Sequence, residues 1–554
     1  MSPKRKDLLN PKAKTKAKSK TPDPQTENDF LEAADEHEQA AGKWRAGDAG
    51  KATRFFNRAI DVYNEGMRRF PRSFDLAYNK ANLEYNMCED DRIVAQLGNK
   101  MALLEETLKS HRAAMALNTA NTDVRFNTGQ VLTSLVEAIL ESETQQVAKV
   151  TARTLLEEAV DLFTECLASQ QQEYEQMTIE VAKAQAEQGF HEQEVMQQQN
   201  EATRQEDMET ASTSSSAPGE WVTVEEPLTP EAILETCTAH LSAFTTLLGL
   251  YDPAELPSIE ARVQHGLYTA NTSVPTLITL IKDSPFQKSK DEPAGPTLSI
   301  GSSITAQKFE TTPKDDALLA VANFQAALAE IAYRNGQTDV TQYASAIEIL
   351  FSQSTSFTEL PHQNPPLLNS ISAYADALMD LASAIADNPS NDPSSATFTT
   401  SIETQWTALS QAQKILTQIS PGGKSSTLPP SRLADTFLAR GDIELFRFRL
   451  ALTEGAKPAW VNSKEALVTN AGVFYRGART YGQVAHKEVT IRMAEAKVVV
   501  AEVLREVEGG GGAAIAAKEQ WKGKGEGVKR ALEQMVEEGV MGRAEAEGVL
   551  ALVQ

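Results

Sequence analysis

Between Asn28 and about Thr210, apolar residues recur at intervals of three and four, and proline occurs only at Pro71. That is the period of helices burying one face, with very little sheet. Further along, helical blocks come in pairs between turn signals: Glu231 to Leu250 with Ile259 to Ile281, Asp316 to Asn335 with Val340 to Ser352, Pro366 to Ala386 with Phe398 to Ile419, and Pro430 to Thr453 with Lys464 to Val507. Thr229-Pro230-Glu231 supplies a cap and a first-turn proline for the first of them. The pattern predicts an all-α chain. Segments 284–316 and 388–395, rich in Pro, Ser and Thr, are expected to be mobile connections. Gly509 to Gly512 predicts a flexible break before C-terminal helices, 509–554 in all, that cap the last pair.

Helices in succession call for a search for repeats. After Arg45, a tight turn at Ala46-Gly47-Asp48 leads into Ala52, Phe56 and Ala59, at spacings of four and three. After Pro71 comes Phe74-Asp75-Leu76-Ala77-Tyr78-Asn79-Lys80-Ala81-Asn82, and after Asn118 comes Asp123-Val124-Arg125-Phe126-Asn127-Thr128-Gly129-Gln130. The two stretches align without gaps, each placing an aromatic residue, then Asn, then a small residue one position later. Thr107, His111 and Ala114, and then Ala159, Phe163 and Cys166, repeat the four-and-three spacing of the second helices. Residues 28–168 thus resemble a degenerate tetratricopeptide-repeat array of about three units.

That resemblance implies a superhelical solenoid of helix pairs. The family's proline should follow Ala59 by five residues, but Pro71 follows by twelve; the extra seven make two helical turns and lengthen the helix without rotating its buried face. Ala40, Ala81 and Gly129, taken as equivalent small positions, lie 41 and 48 apart, wider than the family period, and the excess falls inside the units, as between Cys88 and Met101. His111 occupies an aromatic packing slot and reads as structural. Leu433 to Asp442 resembles another first helix ending in a Gly441-Asp442 turn, within a second array over 229–508.

Charge divides the 554-residue chain unevenly. Met1 to Lys20 carries eight bases and one acid, a charge of +7; the net charge is -23, so the rest carries -30. Residues 1–27 are expected to be a disordered basic arm, in which Lys4, Arg5 and Lys6 resemble a nuclear-import signal read by an import receptor. Gln170 to Glu226 holds eleven Gln and thirteen acids against two bases. Within the insert 169–228, the helical period runs through Tyr174, Met177, Val181 and Ala184, and the Ser-rich remainder is expected to be disordered. Trp221 to Val224 looks like a short extended return. The acidic balance favours a basic protein partner over sequence-specific nucleic acid. No apolar run approaches the roughly 18 to 20 residues of a membrane span, and the N-terminus lacks a signal-peptide core, so a soluble protein of nucleus and cytoplasm, without membrane contact, is expected.

Catalytic and metal motifs fail on inspection. His37-Glu38 and His191-Glu192 lack a second His four residues on, and Gly423-Lys424-Ser425 has Gln418 where a phosphate loop needs glycine. Cys88, Cys166 and Cys237 form neither a CxxC pair nor an even framework and are expected to be reduced, half-buried helix residues. No cofactor, metal or enzymatic activity is expected.

In tetratricopeptide repeats the fifth, sixth and ninth positions of the first helix face the concave side. The resemblance therefore nominates Tyr78, Asn79, Asn82, Phe126, Asn127 and Gln130 as protein-binding residues. In a subclass that clamps the carboxylate terminus of heat-shock chaperones, the five clamp positions correspond to His37, Ala41, Asn79, Asp123 and Asn127; only Asn79 agrees, and an acid at Asp123 disfavours that role. A binding adaptor or escort chaperone for a basic client, such as a histone or ribosomal protein, is the expectation. A scaffold subunit of a multiprotein complex is the alternative.

Overall fold

A computed structural model of the chain describes residues 23–142, 145–201, 228–281, 311–352, 364–388, 391–420, 428–508 and 525–553. Among them there is no strand. The described residues are all-α, and helices pack mainly on near neighbours in sequence. The chain divides into two compact units, the first running to Val131 and the second resuming at Leu132.

In the first unit, α1 (Glu27–Arg45) pairs with α2 (Ala49–Arg69), and α3 (Phe74–Cys88) packs on α5 (Lys100–Leu117). Each start has a side-chain cap, as the sequence around it dictates: Thr26 and Asp29 form a capping box, Asp48 caps α2, and Ser73 caps α3. Ala52, Phe56 and Ala59 are all buried, the alanines fully, which lets α1 approach closely. Helix α2 runs to Arg69, so the two additional turns are helical. The excess between Cys88 and Met101 contains a further short helix, α4 (Asp91–Leu97), whose Ile93 enters the core and whose cap Asp90 holds Arg45 at 2.9 Å. One register is corrected: the small residue buried in α1 is Ala41, whereas Ala40 is only half-buried. Thr107, His111 and Ala114, spaced by four and three, are all buried on α5. His111 meets the edge of Tyr85 and its Nδ1 lies 3.0 Å from the Thr107 carbonyl, while burial pushes its pKa down.

The second unit continues with α7 (Gln145–Glu201), α8 (Pro230–Leu250), α9 (Glu260–Tyr268), α10 (Val274–Leu280), α11 (Pro313–Arg334), α12 (Val340–Leu350), α13 (Pro365–Asp387), α14 (Phe398–Ile419), α15 (Pro430–Leu452), α16 (Pro458–Val461), α17 (Lys464–Ala485) and α18 (Glu488–Glu508). Two last helices, Gly525–Glu537 and Arg543–Val553, follow, the first packing on α18. Ala159, Phe163 and Cys166 on α7 are fully buried. Helix α7 is continuous to Glu201, seventeen residues beyond Ala184. The rest of the insert, including Trp221 to Val224, lies outside the described residues, as do 1–22, 282–310 and 509–524.

Three expectations need correction here. Gly441 and Asp442 form no turn: they sit mid-helix in α15 and are buried, and a Cβ on Gly441 would collide with the Tyr475 ring, so glycine there permits a close α15–α17 crossing. The block from Lys464 to Val507 is two helices, because His486 adopts a left-handed conformation (φ 57°) and Lys487 N–H returns to the Gly482 carbonyl at 3.0 Å. Finally, α8 is long and apolar enough to cross a membrane by length and composition alone, although here it packs between α7 and α11 and buries Phe244, Leu247 and Leu248. None of the three cysteines is in a disulfide and all are buried outright, and burial drives the Cys237 thiol up to about 12.

Candidate protein-binding groove

Helix α6 (Thr122–Ser142) brings its first turns against α3 within the first unit. Val124 is the anchor: fully buried, it joins Ala77 of α3 and Ala114 of α5 in one small core, with Phe74, Tyr78 and Met115 packed around it. The aromatic position of α3 is thereby fixed from below. Tyr78 stacks on Phe74 with ring centroids 5.3 Å apart and planes 10° apart, one helical turn away.

Above that floor, the nominated polar residues meet. Asn127 Nδ2 donates to Tyr78 Oη at 3.0 Å and to Asn82 Oδ1 at 3.0 Å. Three of the six residues nominated from the repeat pattern, on two successive first helices, thus share one hydrogen-bonded bridge. All six are half-buried, neither sealed in the core nor fully in water. Burial, then the charge of Asp123, pushes the Tyr78 pKa up, outweighing its hydrogen bonds to Asn82 and Asn127. The hydroxyl stays neutral and can serve as acceptor or donor.

Asn79 and Gln130 differ from Asn127 in having no side-chain hydrogen bond among the described residues, which leaves their amides able to pair with an incoming backbone. Lys80, next to Asn79, is turned away and occupied, bonded to Glu84 at 2.7 Å and to Ser110 Oγ at 2.9 Å. At the carboxylate-clamp positions, His37 lies tilted against the Phe55 ring and Asp123 is exposed, so the site presents amides and an acid. Lys4, Arg5 and Lys6 lie outside the described residues.

No family model matches the chain. UPF0656 protein C926.02 of Schizosaccharomyces pombe is 28% identical over 143 residues, 26% of this chain and 30% of that protein, so the match spans under a third of the relative. Among solved structures, a circular tandem repeat protein with novel repeat topology and enhanced subunit contact surfaces aligns over 95% of this chain and 98% of its own, at 11% identity and a TM-score of 0.26. That likeness is too slight to carry an argument.

Sequence reasoning missed one buried polar centre in the second unit. Lys497 of α18, 1% exposed, donates to both oxygens of Asp442, at 2.8 and 2.9 Å, and Tyr475 Oη donates to Asp442 Oδ1 at 2.8 Å. Burial pulls the Lys497 pKa down, but Asp442 and Glu538 outweigh it and the net direction is up. The signal was present: Ala494, Lys497 and Ala501 fall on one helical face, so a lysine stands in an apolar stripe. Its closed geometry makes it an internal brace.

Proposed function

We propose that this protein is a non-enzymatic adaptor or escort chaperone for a basic client, a histone or ribosomal protein being the chemical type, and that the α3–α6 face grips the client's backbone. The observation that carries this reading is the Tyr78–Asn127–Asn82 bridge with the unengaged amides of Asn79 and Gln130 beside it. Asparagine and glutamine amides offer both donor and acceptor, the pair an extended backbone requires. The charge of -30 beyond Lys20 supports a basic partner through long-range attraction.

The test is affinity purification of the tagged protein from cells at moderate salt. One stoichiometric basic protein is the expected capture. Several neutral subunits in fixed ratio would instead favour the scaffold reading.

In this account the basic arm engages an import receptor, and the protein is shared between nucleus and cytoplasm. Replacing Lys4, Arg5 and Lys6 with Ala is expected to lower nuclear accumulation of a fluorescently tagged protein at least severalfold. An unchanged nuclear signal would remove the arm's assigned role.

A further inference from the structure

The second unit contains a cavity of about 580 Å³ between α8, α11, α12 and α13. That is the size range of ligand pockets. Its apolar lining includes Leu248, Ala326, Ile347, Ala377 and the ring of Tyr343. Its charged groups are Glu330 and Arg334 of α11 and Asp376 and Asp380 of α13.

Those charges do not balance. Arg334 is already engaged, with Glu330 at 2.7 Å and Asp387 at 3.4 Å. Arg432, whose charge favours the ionised Asp376, spends its hydrogen bonds on Asn369 Oδ1 and Ser372 Oγ, both at 3.0 Å, and on the Leu368 carbonyl at 3.5 Å. Asp376 and Asp380 have neither a hydrogen bond nor an ion pair among the described residues. They stand four apart on one helix, where like charges repel and destabilise. Burial, then Glu330 and Asp376, pushes the Asp380 carboxyl up. Both carboxylates also face water in the open cavity, which softens the effect of burial; the neighbouring acids keep its direction.

A bare metal ion is a poor match. Hard cations take six or more oxygens, and no group of three His, Cys, Asp or Glu among the described residues is arranged to hold one. An ammonium or guanidinium on an aliphatic stem suits the lining better, its charge against Asp376 and Asp380 and its methylenes along Ala377, Ile347 and Tyr343.

We infer that this cavity is a docking site for a lysine or arginine side chain carried on an extended basic segment of the client protein. The inference rests on the basic-client reading but assigns the contact to a place separate from the asparagine groove.

Calorimetry on the full chain tests it, using a synthetic peptide of alternating lysine and alanine and the same peptide with every lysine acetylated. The unmodified peptide is expected to bind and the acetylated one not. Asp376→Asn with Asp380→Asn should weaken binding about tenfold or more, since hydrogen bonds to charged groups are the strong ones. The same double variant should melt no lower than the parent, because it relieves the repulsion on α13. If it nevertheless fails to fold, hydrogen exchange on the unaltered protein decides: added peptide should slow exchange over 373–380, and unchanged exchange would overturn the proposal. Wild-type affinity in the aspartate variant overturns it too. Separate groove variants at Asn79 and Asn127 keep the two readings apart: loss only there removes the cavity and keeps the groove, whereas loss only at the aspartates removes the groove and keeps the cavity. Binding of spermidine, with no binding of the peptide, would make the cavity a free-cation site and overturn the docking proposal.

Discussion

Asp442→Ala is expected to lower the unfolding free energy by about 3 to 5 kcal/mol, the cost of stranding a buried charge without its partner. Asp442 accepts three hydrogen bonds, two from Lys497 and one from Tyr475. Without it, the ammonium's nearest remaining carboxylate is Glu538 at 3.8 Å, whose side chain is 41% exposed. Replacing all three polar partners, Asp442→Leu with Lys497→Met and Tyr475→Phe, should recover much of the loss, since an apolar cluster of similar volume needs no solvation and leaves no buried hydroxyl without an acceptor. Urea unfolding of the three proteins checks this; a loss under 1 kcal/mol for Asp442→Ala would mean that water reaches the site.

The second large effect depends on pH. His240 of α8 is fully buried, stacked near Phe244 with ring centroids 6.1 Å apart. Thr164 Oγ1 donates to the Val160 carbonyl at 2.8 Å and lies 3.2 Å from His240 Nε2. Its own hydrogen is therefore committed, so it accepts from Nε2–H, and the unpartnered buried Nδ1 carries only a lone pair. Protonation would put a charged N–H there with no acceptor. Burial, and then His265, holds the pKa down to about 4. The unfolded chain takes up this proton near pH 6.5, the folded chain only near 4, so stability is full above 6.5 and is lost as pH falls through that window. The expected loss is about 3 kcal/mol between pH 7 and 4 relative to His240→Leu, in which other titrations cancel. Parallel pH profiles for the two proteins would contradict it.

Local signals were legible because they act through neighbours in sequence. Thr229 and Pro230 start α8 as read, with Thr229 Oγ1 accepting from Ala232 N–H at 3.3 Å. The block from Phe398 to Ile419 is α14 to the residue, since the loop before it and the end of the apolar period mark both limits. In the groove, the repeat register brought Tyr78, Asn82 and Asn127 to one face because that face is set by helical period alone. What escaped depends on partners far along the chain. Gly441-Asp442 has the composition of a turn, and only Tyr475, Lys497 and the α15–α17 crossing make it helix interior. The break at His486 carries neither glycine nor proline, so the apolar period ran through it. Asp376 and Asp380 stay exposed to water, and only the α8 and α11 walls make them the lining of a cavity.

The groove assignment also separates residues that sequence treated alike. Asn127 is engaged in the free protein, so Asn127→Ala should cost about 1 kcal/mol of stability, while Asn79→Ala should leave the melting curve unchanged. The most direct measurement is calorimetric titration of the partner recovered with the tagged protein into the parent, Asn79→Ala, and Asn79→Ala with Asn127→Ala. At about 0.5 to 1.5 kcal/mol per asparagine, affinity should fall about two- to tenfold for the single variant and about five- to a hundredfold for the pair, with helicity retained. Parent-like affinity in the double variant, or weakened binding only together with lost helicity, would contradict a client-binding groove on α3 and α6.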